Sequence, residues 1–505
     1  MNWNRLIVAV LLSSVATCFI QCEEHVESSQ DASVQLTANG DKPSCCQAKE
    51  NKSCCKDKEN KPCCKDKENK SCCKDKEDKS CCKDKQDKSC CAITDKAIAE
   101  LGTSAAAGGD WLGWRGPNGN GIAAEGQTPP IKWSDTENVI WMSTILGRGH
   151  SSPVIIGDQV ILTTAIDEDQ EQIVLSHSRT TGEEIWSTVV NTGGFPKEIH
   201  KKNTHASPTV ATNGELIFAV FNNNDGVQLS ALDMQGKIVW QKKAGGYDPK
   251  YKFGYAPSPT LHGTTVIVAS DYDANGYIAA FDQKTGEEIW RTARPSQTSY
   301  SSPIVANVAG RDQLLLTGAL KMSSYDPKSG ELLWDAEGIS KATCGTVVWD
   351  SGIVVGSGGY PESKTMAVKA DGSGEILWVN NTKSYEQSML AFDGHVYAVD
   401  DRSVAHCWDI QTGEEKWSET LGRRSPVSSS PTLANGHIYA ANEKGTTYVF
   451  KASPDKFELV ATNQLGDESF ATPTIVGGRI YTRVALGGGS GRVEYLYCIG
   501  TSESE

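Results

Sequence analysis

Residues Ile278–Trp290 read IAAFDQKTGEEIW, and versions of this stretch recur through the larger part of the chain. Ile278–Phe281 is a short β-favouring run, and Glu288–Arg291 carries the chain back. Between these runs, Asp can bond to nearby backbone amides and Gly286 can take the positive φ of a bulged hairpin. Trp290 then presents a large flat surface that one hairpin cannot cover. We therefore expect the next copy of the stretch to pack on it.

Five further copies share the turn and the terminal tryptophan. They are SHSRTTGEEIW (176–186), ALDMQGKIVW (231–240), SYDPKSGELLW (324–334), VKADGSGEILW (368–378) and CWDIQTGEEKW (407–417). A second signal, a Ser-Pro pair or a relative of it, opens an apolar hairpin eight times. These starts are Ser152-Pro153, Ser207-Pro208, Ser258-Pro259, Ser302-Pro303, Ser430-Pro431 and Thr472-Pro473, with Gly345-Thr346 and Ser388-Met389 as weaker forms.

The spacing of these signals predicts an all-β, eight-bladed β-propeller. The tryptophans that end the repeats are 39 to 54 residues apart, the length of four short strands: Trp141, Trp186, Trp240, Trp290, Trp334, Trp378 and Trp417. The last unit, Thr472–Cys498, has three strands, whereas Asn138–Ser143 (NVIWMS) has a tryptophan and no inner strands before it. We therefore expect the N-terminal strand to complete the last blade, so that both termini close the ring and no edge stays open.

The first residues have the features of a secretory signal. Met1–Cys22 combines Arg5 with an apolar run, and no other run is long enough to span a bilayer. Two interpretations of its processing stay open. An ordinary small-residue site fits Ser14-Val15-Ala16, whereas lipid attachment would use Cys18 or Cys22. Export follows from either, and a lipid anchor would be the chain's link to a membrane.

A cysteine-rich and lysine-rich arm separates this signal from the propeller. It repeats CCKDKENKS with small changes, which gives six adjacent pairs: Cys45, Cys46, Cys54, Cys55, Cys63, Cys64, Cys72, Cys73, Cys81, Cys82, Cys90 and Cys91. With almost no apolar residue it cannot bury a core, so we expect disorder. One interpretation is a thiolate arm that binds Zn or Cu(I), and the other is a plain tether with oxidised thiols. The CC-x7-CC spacing is not that of a zinc finger.

The charge of the chain argues against a nucleic-acid partner. Residues 41–91 hold 15 Lys and 11 Asp or Glu, a net charge of +4. The whole chain is −14, so the remainder is −14 − 4 = −18. An acidic ring repels phosphate backbones. The expected division is therefore a signal at 1–22, an arm and linker at 23–110, a propeller at 111–500 and a tail at 501–505.

The Ser-Pro hairpins and the Asp-x-x-Thr-Gly-Glu-x-x-Trp turns resemble the PQQ-like propeller repeat. The lead-in WLGWRGPNG at residues 111–119 is similar to the start of many secreted bacterial proteins with such repeats. The family includes quinoprotein alcohol dehydrogenases and non-enzymatic members such as the outer-membrane β-barrel assembly lipoprotein. The resemblance covers residues 111–500 and is specific for the fold, not for the function.

The resemblance implies that a dehydrogenase would hold PQQ and Ca²⁺ over the ring axis, with an aspartate base and a vicinal disulfide. Here the adjacent cysteines lie in the arm, and Cys344, Cys407 and Cys498 are isolated in the ring. No motif places a base or a calcium ligand on a numbered residue. We therefore expect a binding or scaffolding module in the cell envelope, in the periplasm or anchored by lipid. A PQQ-dependent alcohol or sugar oxidoreductase and a metal-binding arm remain the alternatives.

Candidate binding residues come from the geometry of propellers, in which the segments entering each innermost strand converge near the axis. The residues just before the Ser-Pro starts, with one from a nearby basic pair, are Arg148, His150, Asn203, His205, Tyr255, Tyr300, Lys341, Tyr385, Glu386, Arg424 and Glu468. A mouth of this composition suits a peptide, a glycan or a small anion. Polar loops at a solvated opening are also expected without any ligand. His150 and His205 occupy matching places, but two ligands alone do not make a metal site.

Other motifs give no support to an enzyme. Gly487–Gly491 lacks the lysine and helix of a phosphate loop, and no Gly-x-Ser-x-Gly elbow is present. The expected partner is an envelope protein or peptide, and the expected state is a monomeric ring.

Overall fold

The computed structural model describes residues 109–501, except for the side chain of Ser490. The signal and the cysteine arm lie outside these residues. Within them, 32 strands form eight four-stranded antiparallel sheets. Each sheet is one blade, so the predicted eight-bladed propeller is confirmed.

Blades 1 to 4 follow each other directly along the chain. Blade 1 contains β2 (Val154–Ile156), β3 (Gln159–Ile166), β4 (Glu171–Ser178) and β5 (Glu184–Thr192). Blade 2 contains β6 (Ala211–Thr212), β7 (Leu216–Asn223), β8 (Gly226–Asp233) and β9 (Ile238–Gly246). Blade 3 contains β10 (Thr260–His262), β11 (Thr265–Ser270), β12 (Tyr277–Asp282) and β13 (Glu288–Ala293). Blade 4 contains β14 (Ile304–Val308), β15 (Arg311–Gly318), β16 (Lys321–Tyr325) and β17 (Leu332–Glu337).

Blades 5 to 7 repeat this order, and blade 8 uses both ends of the ring. Blade 5 contains β18 (Val348–Asp350), β19 (Ile353–Gly358), β20 (Lys364–Lys369) and β21 (Ile376–Asn380). Blade 6 contains β22 (Leu390–Phe392), β23 (His395–Val399), β24 (Val404–Asp409) and β25 (Glu415–Thr420). Blade 7 contains β26 (Thr432–Ala434), β27 (His437–Ala441), β28 (Thr446–Lys451) and β29 (Leu459–Gln464). Blade 8 contains β30 (Thr474–Val476), β31 (Arg479–Leu486), β32 (Val493–Ile499) and β1 (Val139–Ile145).

The predicted closure of the ring is confirmed. Strand β1 pairs antiparallel with β32, with Met142 opposite Tyr497 and Ile145 opposite Glu494. The sheet order is β1-β32-β31-β30, so the N-terminal strand is the outer strand of the last blade. A short 3₁₀ turn, Gly489–Gly491, lies in the β31–β32 connection. In the described part of the chain no helix is long and apolar enough to cross a membrane.

The repeated turn has the chemistry expected from its sequence. In blade 3, the Asp282 carboxylate accepts hydrogen bonds from Lys284 N and Thr285 N, both at 2.9 Å. Gly286 has φ +69°, and the strand register shifts by a bulge between Ala280 and Phe281. Groups within the hairpin therefore stabilise the turn, independently of packing between blades.

Five of the repeat tryptophans pack on the turn of the next blade, as predicted for Trp290. A Cβ at Gly330 would lie 2.3 Å from the Trp290 ring, and Trp290 Nε1 donates to Pro327 O at 3.2 Å. The same glycine-on-indole contact joins four other pairs: Gly182 with Trp141, Gly236 with Trp186, Gly286 with Trp240, and Gly413 with Trp378. Trp334 departs from the pattern because its Nε1 donates to Gln313 Oε1 of its own blade at 2.7 Å. The hydrophobic core lies between blades, not within single hairpins.

Candidate functional site

The lead-in segment, residues 111–127, passes across one end of the central channel. Trp111 exchanges backbone hydrogen bonds with Ile155 of blade 1, at 2.7 and 2.9 Å. Ala123 N donates to Leu433 O of blade 7 at 2.8 Å. We call this segment the plug, because through Trp114 it also reaches blade 5, which lies opposite blade 1 in the ring, and so closes that end.

Two plug side chains reach into the centre of the ring. Arg115 is 1% exposed, and its guanidinium donates to the carbonyl oxygens of Pro431, Met389 and Asn120. Burial lowers its pKa to about 9 because the charged form loses its hydration. Trp114 Nε1 donates to Thr346 Oγ1 of blade 5 at 2.7 Å. The indole is thereby fixed as a floor beneath the opposite, open end of the channel.

A belt of hydroxyl groups surrounds this floor. A serine or threonine stands two residues before the innermost strand of every blade, and in seven of the eight blades its hydroxyl accepts the N–H of the equivalent residue in the preceding blade. The seven bonds, all 2.9 to 3.0 Å, run from Ser152 N to Thr209 Oγ1, Thr209 N to Ser258 Oγ, Ser258 N to Ser302 Oγ, Thr346 N to Ser388 Oγ, Ser388 N to Ser430 Oγ, Ser430 N to Thr472 Oγ1 and Thr472 N to Ser152 Oγ. Blades 4 and 5 are joined instead by Ser301 Oγ, which donates to Gly345 O at 3.0 Å.

The belt explains the recurring Ser-Pro starts and corrects one of them. Strand β6 begins at Ala211, so the belt position of blade 2 is Thr209 and not Ser207. The Ser207 hydroxyl instead bonds to Asn203 of the entry loop. The weaker starts, Thr346 and Ser388, keep the hydroxyl and lack the proline. The hydroxyl, rather than the proline, is what all eight blades share at this position.

Above the Trp114 floor lies a cavity of about 440 Å³, open at the mouth of the ring. Its size is within the range of small-molecule sites. Its lower wall contains belt hydroxyls and its upper wall contains aromatic and charged side chains. Its lining includes Trp114, Ser152, His200, Lys202, Asn203, Tyr251, Phe253, Ser258, Tyr300, Ser302, Lys341, Cys344, Tyr360, Lys383, Tyr385, Glu386, Ser428, Phe470 and Thr472.

Six of the eleven residues selected from the sequence line this cavity. They are His150, Asn203, Tyr300, Lys341, Tyr385 and Glu386. They come from blades 1, 2, 4, 5 and 6, so the convergence expected from propeller geometry brings them together.

The other five selected residues do not line the cavity. Arg148 donates to Lys201 O at 3.1 Å, and Glu468 pairs with Arg492 at 2.6 Å. The His205 ring lies on Phe195 at 4.1 Å. Tyr255 is buried and donates to Ala269 O at 2.8 Å, because its ring packs edge-on against Tyr247 in the core. Arg424 is exposed on the connection before blade 7.

Sequence reasoning missed several groups of the cavity. Tyr251 and Phe253 come from the long β9–β10 connection, and Lys202 comes from the β5–β6 connection. The signal that could have found them is the run YKFGY at 251–255, whose aromatic residues are too many for an ordinary solvated loop. Phe253 is 45% exposed and Tyr360 is 54% exposed. Large apolar rings left in solvent around a cavity indicate a contact surface for a ligand.

The three lysines of the cavity are in different electrostatic states. Lys202 Nζ lies 2.7 Å from Glu443, and Lys383 Nζ lies 3.1 Å from Asp401. Burial is the largest single effect and lowers the pKa of Lys202, but the hydrogen bond to Glu443 together with the charges of Glu386, Glu443 and Asp401 outweighs it, so the net shift of the pKa is upward. Within the described residues, no carboxylate oxygen lies within 4 Å of Lys341 Nζ, which makes it the uncompensated cation of the cavity.

Two other titratable groups on the wall are held neutral. His150 packs on Phe470 with ring centres 4.3 Å apart. Burial, together with Arg148, Arg483 and Arg492, holds its pKa well below the usual value. Burial also raises the pKa of the Cys344 thiol well above its usual value. Neither group supplies a charge or a thiolate nucleophile at neutral pH.

The residues of the cavity do not fit a calcium-quinone pair. Ca²⁺ requires several carboxylate and amide oxygens, and among residues 109–501 no three or more His, Cys, Asp or Glu side chains form a group that could hold a metal ion. Glu386 accepts a bond from Ser428 and is the acidic residue on the wall. Cys344, Cys407 and Cys498 are single free thiols. His150 and His205 do not form a two-histidine site, since each ring packs on a phenylalanine. The twelve arm cysteines lie outside the described residues.

Comparison with known families gives the same architecture. A family model described as outer membrane protein assembly factor BamB matches residues 170–419 and 362–493. The chain belongs to this PQQ-like propeller family. Among its relatives in this family, BamB of Burkholderia pseudomallei is 24% identical over 275 residues, which are 49% of this chain and 67% of that protein.

PQQ-like propellers with dehydrogenase names match as well. The dehydrogenase subunit of the quinone alcohol dehydrogenase of Gluconobacter oxydans is 24% identical over 373 residues, 69% of this chain and 44% of that protein. This chain thus spans less than half of that subunit. Among solved structures, a europium-containing methanol dehydrogenase matches with a TM-score of 0.58 at 12% identity, covering 80% of this chain and 100% of that one. BamB from Moraxella catarrhalis matches with a TM-score of 0.51 at 15% identity, covering 71% and 99%. At these identities the structures share the fold.

Proposed function

We propose that this chain is an exported binding module of the bacterial cell envelope, and that the axial cavity is its ligand site. The observation that carries the proposal is Lys341, an unpaired cation on the wall of an aromatic-lined cavity that opens at one end only. A free cation in such a place favours a ligand that brings an anionic group and an apolar face. The names of relatives that assemble the outer membrane support a place in the envelope. An envelope protein or peptide that carries such a group is the expected partner.

The plug supports a binding function over a passage function. It closes one end of the channel through backbone bonds and through Arg115, which spans blades 6 and 7. A ligand therefore enters and leaves by the same mouth. The Lys202–Glu443 and Lys383–Asp401 pairs cancel their own charges, which leaves Lys341 and the acidic Glu386 as the other charges of the wall, so attraction of an anion is local to Lys341.

Titration with 1-anilinonaphthalene-8-sulfonate, an anionic aromatic probe, tests the proposal on the full chain. We expect saturable binding at one site, weakened about tenfold by Lys341→Met, which keeps the length of the side chain and removes the charge. Lys237→Met, on an exposed turn at the outer edge of blade 2, is the matched control and should bind as the wild type does. Equal affinities for the wild type and Lys341→Met would reject the cavity as the site.

A PQQ-dependent oxidoreductase is the second candidate, favoured by the 373-residue match to the alcohol dehydrogenase subunit. The absence of a carboxylate cluster in the described cavity speaks against it. Dye reduction with simple alcohols after addition of PQQ and Ca²⁺ separates the two functions, and turnover would favour the oxidoreductase.

Metal binding by the arm stays a prediction. Mass spectrometry after Zn or Cu(I) loading under reducing conditions tests it.

A further inference from the structure

We infer that the ligand of the axial cavity is an acidic sugar, such as the uronate end of an envelope polysaccharide. This inference rests on the proposed function and names the chemical class of its ligand. Three features of the wall lead to it: hydroxyl donors at the base, aromatic faces at different angles, and one free cation.

The belt gives the base of the cavity a set of uncommitted donors. Four belt hydroxyls, those of Ser152, Ser258, Ser302 and Thr472, line the cavity. Each hydroxyl oxygen uses one lone pair to accept a backbone N–H, and the hydroxyl hydrogen remains available to donate. No acceptor for these four hydrogens is found among the described residues. Buried donors require acceptors, and a ligand rich in hydroxyl and carboxylate oxygens supplies them.

The aromatic walls suit a sugar ring rather than a flat aromatic ligand. Phe253 and Tyr300 lie at 87° to each other with ring centres 6.2 Å apart. His200 and Phe253 lie at 55°, with centres 5.5 Å apart. A flat ligand is best held between two parallel rings, and these pairs do not form such a slot. Tyr251 and Phe253 are closer to parallel, at 27°, but their centres are 6.3 Å apart, a distance typical of rings in direct contact, so no third ring fits between them. The C–H groups of a sugar carry partial positive charge and pack well against the negative faces of rings set at several angles.

The upper wall supplies the remaining groups. Lys341 Nζ is available for a carboxylate. Glu386 uses Oε2 to accept the Ser428 hydroxyl, so Oε1 can accept a sugar hydroxyl. Asn203 has a positioning role: its Nδ2 donates to Phe253 O at 2.5 Å, and Oδ1 accepts Thr204 N at 2.8 Å. These bonds hold the exposed Phe253 ring at the mouth.

Isothermal titration calorimetry of the full chain with tri-galacturonate and its methyl ester tests the inference, since the two differ in charge and not in ring structure. We expect the acid to bind at least tenfold more tightly than the ester. Lys341→Met should remove this difference. Phe253→Ala should weaken both ligands several-fold, and Lys237→Met should change neither. The wild type, Phe253→Ala and Lys237→Met should have the same thermal midpoint, because the Phe253 ring is exposed.

Two results would overturn the inference. Equal binding of acid and ester would show that the carboxylate is not recognised. Absence of binding by both, while 1-anilinonaphthalene-8-sulfonate still binds in a Lys341-dependent manner, would reject the sugar class and leave the proposed function standing. Loss of both kinds of binding would reject the proposed function too.

Discussion

At the scale of single residues, the cavity depends on which charges are compensated. Lys202 pairs with Glu443 of blade 7 across the ring and Lys383 pairs with Asp401 of blade 6, whereas Lys341 has no acidic partner in the described part of the chain. The partner of Lys202 lies 241 residues away in the sequence. The free lysine was predictable as a mouth residue but not as the uncompensated one, because pairing across the ring has no signature in the repeat.

His150 should make the ring less stable in acid. Its pKa in the folded ring lies well below the value of about 6.5 expected in the unfolded chain. Below pH 6.5 the unfolded chain therefore binds a proton that the folded ring does not, and stability falls as the pH falls. In urea unfolding at pH 7 and pH 5, the wild type should lose about 1 to 2 kcal/mol more than His150→Phe.

Phenylalanine at position 150 keeps the stacking on Phe470 and cannot bind a proton. The difference in pH dependence between the wild type and His150→Phe therefore measures the effect of protonating His150. His437→Phe, on the β26–β27 hairpin, serves as the control and should retain the pH dependence of the wild type. An identical loss in the wild type and His150→Phe would contradict the prediction.

At the scale of elements, the contact between a turn glycine and the preceding tryptophan holds neighbouring blades together. Gly286 and Gly310 have similar backbone angles, φ +69° and +78°. A Cβ at Gly286 would meet the Trp240 ring at 2.7 Å, whereas a Cβ at Gly310 would meet nothing within 4 Å. Gly310→Ala should cost about 1 kcal/mol of unfolding free energy from backbone strain alone.

Gly286→Ala should cost about 1 to 3 kcal/mol more than Gly310→Ala, since it adds overpacking to the same strain. Chemical denaturation of both variants measures the difference. Equal costs would mean that the indole moves away freely and that this contact does not hold the blades.

The belt gives a second prediction for the elements, in blade 2. Thr209→Val removes the acceptor of Ser152 N and leaves a buried N–H without a partner, at a cost of about 1 to 3 kcal/mol. Thr209→Ser keeps the hydroxyl and should lose much less. Ser207→Ala should also have a small effect, because that hydroxyl bonds in the partly exposed entry loop. The three variants are compared by their midpoints of urea unfolding. If Ser207→Ala had the lowest midpoint, the belt residue of blade 2 would be Ser207 and not Thr209.

At the scale of the whole molecule, the ring was predictable and the site only in part. Turn chemistry at Asp282 and Gly286 is local, and the tryptophan period counts the blades, so the architecture follows from short-range patterns. The cavity also uses Tyr251, Phe253 and the plug, which lie in connections that no period constrains. Tyr255 turned into the core because Tyr247 offered a buried partner. The direction of a loop side chain is decided by such tertiary contacts.

The closing prediction for the whole ring separates the plug from the terminal strand. A chain that begins at residue 129 keeps β1 and loses the plug, whereas a chain that begins at residue 147 loses both. Without β1, strand β32 loses six paired residues and the turn at Gly182 loses the Trp141 ring. An exposed strand edge then invites association between chains.

We therefore expect the chain from 147 to unfold at much lower urea concentration and to form oligomers in size-exclusion chromatography. The chain from 129 should stay a monomeric ring, somewhat destabilised by loss of the Arg115 and Trp111 contacts. It should also lose the Trp114 floor, and with it most of its affinity for any cavity ligand. If the two truncated chains were equally stable, loss of β1 would add nothing to the loss of the plug. The pairing of β1 with β32 would then not be what stabilises the closed ring.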